Sequence, residues 1–81
     1  MRNSRYFDKV NLIGNNLKLY RTKLNISQDE LCNQLALLGI TLYKNDIYRI
    51  ENNKRAVKDF ELWGISKVLK VKYDDLLNVI E

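Results

Sequence analysis

Proline is absent from this chain and glycine stands at only three of its 81 positions, Gly14, Gly39 and Gly64. Sandwiches and barrels need many tight turns, and tight turns draw on these two residues. Their scarcity favours helices joined by short connections. The length fits one domain. A domain this small buries only about two-thirds of the surface of its unfolded chain, so its core must be compact. With 46% hydrophobic and 30% charged residues, the composition is that of a globule and not of a disordered chain.

Apolar residues recur at helical spacing along most of the chain. Ile13, Leu17, Tyr20 and Leu24 form one stripe, which Asn25 interrupts. Ser27 and Glu30 stand in the relation of a capping box, with Ile26 and Leu31 placed to clasp as a hydrophobic staple. Asp29 and Glu30 suit the positive end of that helix. The second helix runs through Leu31, Leu35 and Leu38 to a stop at Gly39. After Ile40 and Thr41, a third segment turns Tyr43, Ile47 and Ile50 inward and ends near Asn52 and Asn53. A fourth begins near Lys58 or Asp59 and carries Leu62, Ile65, Ser66 and Leu69. A fifth spans Tyr73 to about Ile80, with Leu76, Leu77 and Ile80. The predicted architecture is all-α, a compact five-helix bundle over residues 10–81 behind a polar tail, residues 1–9.

The single cysteine, Cys32, cannot close an internal disulfide, which suits a reducing compartment. Nothing near it would lower its pKa, so a buried structural thiol is expected. No apolar run approaches the roughly 18 residues of a membrane span, and the N-terminal stretch lacks the apolar core of a signal peptide. A cytoplasmic protein is expected. There is no histidine, so imidazole catalysis and most zinc sites are excluded. Short helices leave little room for a pocket. Neither enzymatic activity nor a cofactor or metal is expected.

The net charge is +4, and it is unevenly placed. Residues 1–55 hold ten Lys or Arg against five Asp or Glu, while residues 56–81 hold four against five. That asymmetry points to a polyanionic partner. Within the basic part, the second and third helices fit a helix-turn-helix. In that arrangement one helix crosses the phosphate backbone and the next lies in the major groove, its outward side chains meeting base edges. The third segment has the required two faces. Ile47 and Ile50 anchor it, and Lys44, Asn45 and Tyr48 project.

These residues carry a family likeness. Ser27-Gln28-Asp29-Glu30-Leu31, then Ile47 through Asn52 followed by the basic pair Lys54-Arg55, then Tyr73-Asp74-Asp75-Leu76-Leu77, stand in the order found in the Cro/C1-type (XRE) helix-turn-helix family. The chain resembles that family over about residues 10 to 78. The likeness implies a lambda-repressor-like fold and sequence-specific binding of double-stranded DNA. It also implies a small transcriptional regulator, a repressor acting as a homodimer on a pseudo-palindromic operator. Base contacts fall by the same likeness to Lys44, Asn45 and Tyr48, with Tyr43 at the helix entrance. Phosphate contacts fall to Gln28, Arg49, Asn53, Lys54 and Arg55. Arg21 is a further candidate for the backbone, and Gln28 would also brace the third helix. Glu51 would make a local bond, because a carboxylate facing phosphates is repelled.

The connection ALLGITLYKND is longer than the family's tight version. Asn53 and Lys70 stand where glycine is usual, and each costs strain if its φ is positive. Some readings stay double. Arg2 and Arg5 belong either to a frayed end or to an arm reaching DNA. Tyr48 either touches sugar or a thymine methyl or covers the edge of the core. Trp63 either finishes the core or joins Val79 and Ile80 in a dimer contact. The rival function is a protein-interaction module, such as an antitoxin-type helix-turn-helix protein that binds a partner protein.

Overall fold

A computed structural model describes residues 8–78, and every regular element in that span is an α-helix. They are α1 (Gly14–Lys23), α2 (Gln28–Leu37), α3 (Lys44–Glu51), α4 (Asp59–Leu69) and α5 (Tyr73–Leu77). The described residues form an all-α five-helix bundle. Helix α1 packs on α3, α4 and α5; α2 packs on α3 and α4; and α4 packs on α5. None of these helices is long and apolar enough to cross a membrane. Arg2 and Arg5 lie outside the described residues, as do Val79 and Ile80; α5, expected to run to about Ile80, ends at Leu77, where Asn78 turns extended (φ −75°, ψ 100°).

Four helices start in the same way. A carboxylate three residues in reaches back to the amide of the cap residue: Glu30 to Ser27 at 2.9 Å, Asp46 to Tyr43 at 2.9 Å, Glu61 to Lys58 at 2.9 Å and Asp75 to Lys72 at 3.3 Å. Only Ser27 returns the bond from its side chain, its hydroxyl accepting from the Glu30 amide at 3.0 Å. The box expected at α2 is therefore complete. Its bonds with Ser27 hold the Glu30 carboxyl below its ordinary range. Helix α1 starts differently. Asn11 Oδ1 accepts from the amides of Ile13 (3.0 Å) and Gly14 (2.8 Å).

Four helices also stop alike, each followed by a residue in the left-handed conformation: Asn25 (φ 56°), Gly39 (84°), Asn53 (59°) and Lys70 (56°). The strain anticipated at Asn53 and Lys70 is present, because a Cβ crowds the carbonyl in this region. Lys70 is exposed, so Lys70→Gly should raise stability by about 0.5–1 kcal/mol, read as a higher urea midpoint. Asn53→Gly should bring no such gain, because the Asn53 side chain makes bonds of its own.

The core consists of Ile13, Leu17, Leu31, Leu35, Ile40, Leu42, Ile47, Ile50, Ile65, Leu69 and Leu76, with Ile26 and Cys32 packed against it. Two sequence expectations need correction. Tyr43, read as inward, is 68% exposed at the N-cap of α3. Leu42 takes the inward position instead, together with Ile40. Both lie in the connection 38–43, where no helical period marks a core residue. Leu24, at the frayed end of α1, is half exposed and not part of the buried stripe.

Two glycines permit close approach. A Cβ on Gly14 would overlap the carbonyl oxygen of Ile50, where the first turn of α1 meets the last turn of α3. A Cβ on Gly64 would overlap Ile40 Cδ1 and lie 3.0 Å from Leu35 Cδ2, where α4 meets α2 and the connection after it.

Candidate nucleic-acid interface

Helix α3 has two unlike faces. Ile47 and Ile50 are fully buried on the inner one. Lys44, Asn45 and Tyr48 stand exposed on the outer one, with Tyr43 at its entrance. Among the described residues, none of these four side chains makes an internal hydrogen bond or ion pair. Gln28, from the first turn of α2, joins Lys44, Asn45 and Tyr48 around an open depression of about 400 Å³. The outer side chains of α3 and the start of α2 thus share one surface.

Behind that surface α3 is fixed by a buried ion pair. Arg21 Nε donates to Glu51 Oε2 at 2.7 Å and Nη2 to Oε1 at 3.2 Å, while Nη1 donates to the Ile26 carbonyl at 2.7 Å. Gln28 Nε2 donates to Glu51 Oε1 at 3.0 Å. The brace expected from Gln28 is present, and so is the local bond expected of Glu51. Arg21 is placed differently from the expectation. It is 9% exposed, and its guanidinium is turned inward to Glu51 and Ile26 instead of outward to a phosphate. Off-stripe position marked it as a surface cation, but its partner lies 30 residues on.

Arg55 needs a similar correction. It forms a bidentate pair with Glu61, at 2.9 and 3.1 Å, and lies 3.4 Å from Asp46. It also donates to the Ala56 carbonyl. Asn53 is a clip and not a free contact. Its Oδ1 accepts from the amides of Val10 (3.0 Å) and Asn11 (3.2 Å), and its Nδ2 donates to the Asp8 carbonyl at 3.3 Å. Arg49 makes only a long bond of 3.4 Å to the Lys54 carbonyl, and both residues are exposed. Among the described residues, the cations left facing solvent at this end are Lys44, Arg49 and Lys54. The neighbouring carboxylates Asp46, Glu51 and Glu61 are each paired with an arginine.

Burial pushes the Glu61 carboxyl up. The bonds from Arg55 and the Lys58 amide, with the charges of both residues, outweigh it and hold the group below its ordinary value of 4.5. A carboxyl depressed in the fold stabilises it above its unfolded pKa, and that contribution is lost as pH falls through the folded value. Stability measured by urea titration should therefore decline on acidification below about pH 4.5, and Glu61→Gln should flatten that part of the profile.

Two asparagines that sequence reasoning passed over hold the frame. Asn11 Nδ2 donates to the carbonyls of Ile50 (3.0 Å) and Arg55 (2.9 Å), tying both sides of the loop after α3. Asn16, 6% exposed, donates from Nδ2 to the carbonyls of Leu76 at 3.0 Å and Asn78 at 2.7 Å, at the end of α5. Asn11 had a local signal, since asparagine is a favoured cap just before a helix. Asn16 had none. Among the described residues every buried side-chain polar atom has a partner, and no cluster of side chains could hold a metal. Cys32 is half buried, and burial pushes its thiol up, with the charges of Asp29 and Asp46 adding to the effect.

Comparison with family models, curated proteins and solved structures gave no match. The functional reading therefore rests on residues and geometry.

Proposed function

We propose that this chain binds double-stranded DNA through α3 and acts as a small transcriptional regulator. The observation that carries the reading is the outer face of α3. Tyr43, Lys44, Asn45 and Tyr48 are exposed on a helix whose other side is locked into the core, and the nearby carboxylates Asp46, Glu51 and Glu61 are held in ion pairs with Arg21 and Arg55. An exposed helix held in this way fits the major groove, where side chains meet base edges. The order of motifs that resembles the Cro/C1-type family supports the same reading, as does the basic balance of residues 1–55.

In this reading Asn45 pairs with an adenine edge and Lys44 with a guanine edge. Tyr48 and Gln28 border the same depression and meet sugar, methyl or phosphate. Lys54 and Arg49 neutralise phosphates and release counterions. A repressor working by occlusion needs nothing more than such a surface. Two copies about a two-fold axis would read half-sites about 34 Å apart.

The test is binding to a labelled fragment from upstream of its own gene, beside random DNA of equal length, across a salt series. Fragment-selective binding is expected, with affinity falling linearly on a logarithmic salt scale. Asn45→Ala should remove about 1–3 kcal/mol of discrimination between the two DNAs. Lys54→Ala should weaken both alike and flatten the salt slope. Absence of binding at low salt would overturn the proposal and turn attention to a protein partner.

A further inference from the structure

Helix α4 buries Glu61, Gly64, Ile65, Ser66 and Leu69 against the bundle. Its other side presents two large aromatics to solvent, Phe60 at 51% and Trp63 at 40% exposure. Asp59 lies four residues before Trp63 and Lys67 four after it, so all three share one face. Both charged residues are exposed. The ion pairs among the described residues are made by other groups. The face therefore runs acid, aromatic, base along its length, with its charges inverted about Trp63.

We propose that this face of α4 is the contact between two copies of the chain, packed antiparallel about a two-fold axis at Trp63. A two-fold interface uses the same patch on both partners, so the patch must complement itself. Antiparallel pairing meets that condition. Four residues along a helix are about 6 Å, so Asp59 of each copy lies level with Lys67 of the other while the two tryptophans meet at the centre. The helix dipoles oppose each other favourably in the same arrangement. A parallel pair would set Asp59 against Asp59 and Lys67 against Lys67. A DNA phosphate would meet Asp59, and an uncharged apolar ligand would gain nothing from the inversion.

An eleven-residue helix is about 16 Å long and offers less than the roughly 800 Å² per partner of a stable interface. The dimer is accordingly weak and exchanging, with the aromatic pair as its anchor. The inference supplies a surface for the two-fold reading of DNA proposed above. Its test contains no DNA, so the two can fail separately.

The test is sedimentation equilibrium of the full chain over a wide concentration range. Average mass should rise from monomer toward dimer, and added salt should weaken the association. Trp63→Ala should weaken it at least about tenfold. Because Trp63 is partly buried, two charge variants give an independent arm. Asp59→Lys alone and Lys67→Glu alone should each stay monomeric, since each brings like charges together. Mixed in equal amounts they should associate again, because every cross-helix pair is then of opposite sign. Far-UV circular dichroism checks that each variant is folded. A chain that stays monomeric throughout, or a dimer that ignores all three substitutions, would overturn the proposal.

Discussion

Glu51→Ala should destabilise the fold by about 3–5 kcal/mol, the cost of leaving a buried charge without its partner. The Glu51 side chain is 2% exposed and that of Arg21 10%. With the carboxylate gone, the guanidinium keeps only its bond to the Ile26 carbonyl, and Gln28 loses its acceptor. A domain of this size has about 5–15 kcal/mol in total, so the loss removes a large share. Urea denaturation should show a lower midpoint at nearly unchanged slope. The double replacement Arg21→Met with Glu51→Leu separates the pair from its desolvation. Since the apolar pair needs no counterion, it should be less destabilised than Glu51→Ala alone. A double variant as unstable as the single one would mean that the cost comes from packing and not from charge.

Gly14→Ala is the second large effect, and its sign is informative. By helix propensity alone the change should stabilise by up to about 1 kcal/mol. The structure reverses that expectation. The new Cβ would overlap the Ile50 carbonyl oxygen and lie 3.3 Å from Asn11 Oδ1 and from the Glu51 carbonyl oxygen. The Ile50 carbonyl cannot retreat freely, because it accepts from Asn11 and closes the last turn of α3. Overpacking of this kind costs about 1–3 kcal/mol, and contact with backbone places Gly14→Ala at the upper end. A lowered midpoint would confirm the close approach of α1 to α3, and a raised one would refute it.

The parts of the fold that were legible in the sequence are those set by neighbours. Ser27 and Glu30 are three residues apart, and both halves of their cap could be named beforehand. The buried Leu31 and Leu35, and Ile47 and Ile50, followed from helical spacing. What escaped was tertiary. Arg21 and Glu51 are separated by 30 residues, and an arginine beside an apolar stripe looks the same whether it meets water or a carboxylate. Arg55 looked like a phosphate contact because it follows Lys54, yet its partners come from α3 and α4. Ile40 and Leu42 escaped for another reason, since a connection has no period to betray which residues face inward. For the candidate site, Lys44 and Asn45 were foreseen as exposed, Tyr48 was left open and Tyr43 was read as inward, and the structure removes Arg21, Asn53 and Arg55 from the free groups.

The division of labour around α3 has a consequence for variation. The polar bonds that hold this helix come from Asn11, Arg21, Gln28 and Asn53, and from Asp46 and Glu51 within it. The side chains of Tyr43, Lys44, Asn45 and Tyr48 make none of those bonds among the described residues. Their side chains can therefore be exchanged as a set while the frame stays whole. A library randomised at these four positions would yield mostly folded proteins with altered outer chemistry, which makes the chain a scaffold whose specificity and stability can be selected separately.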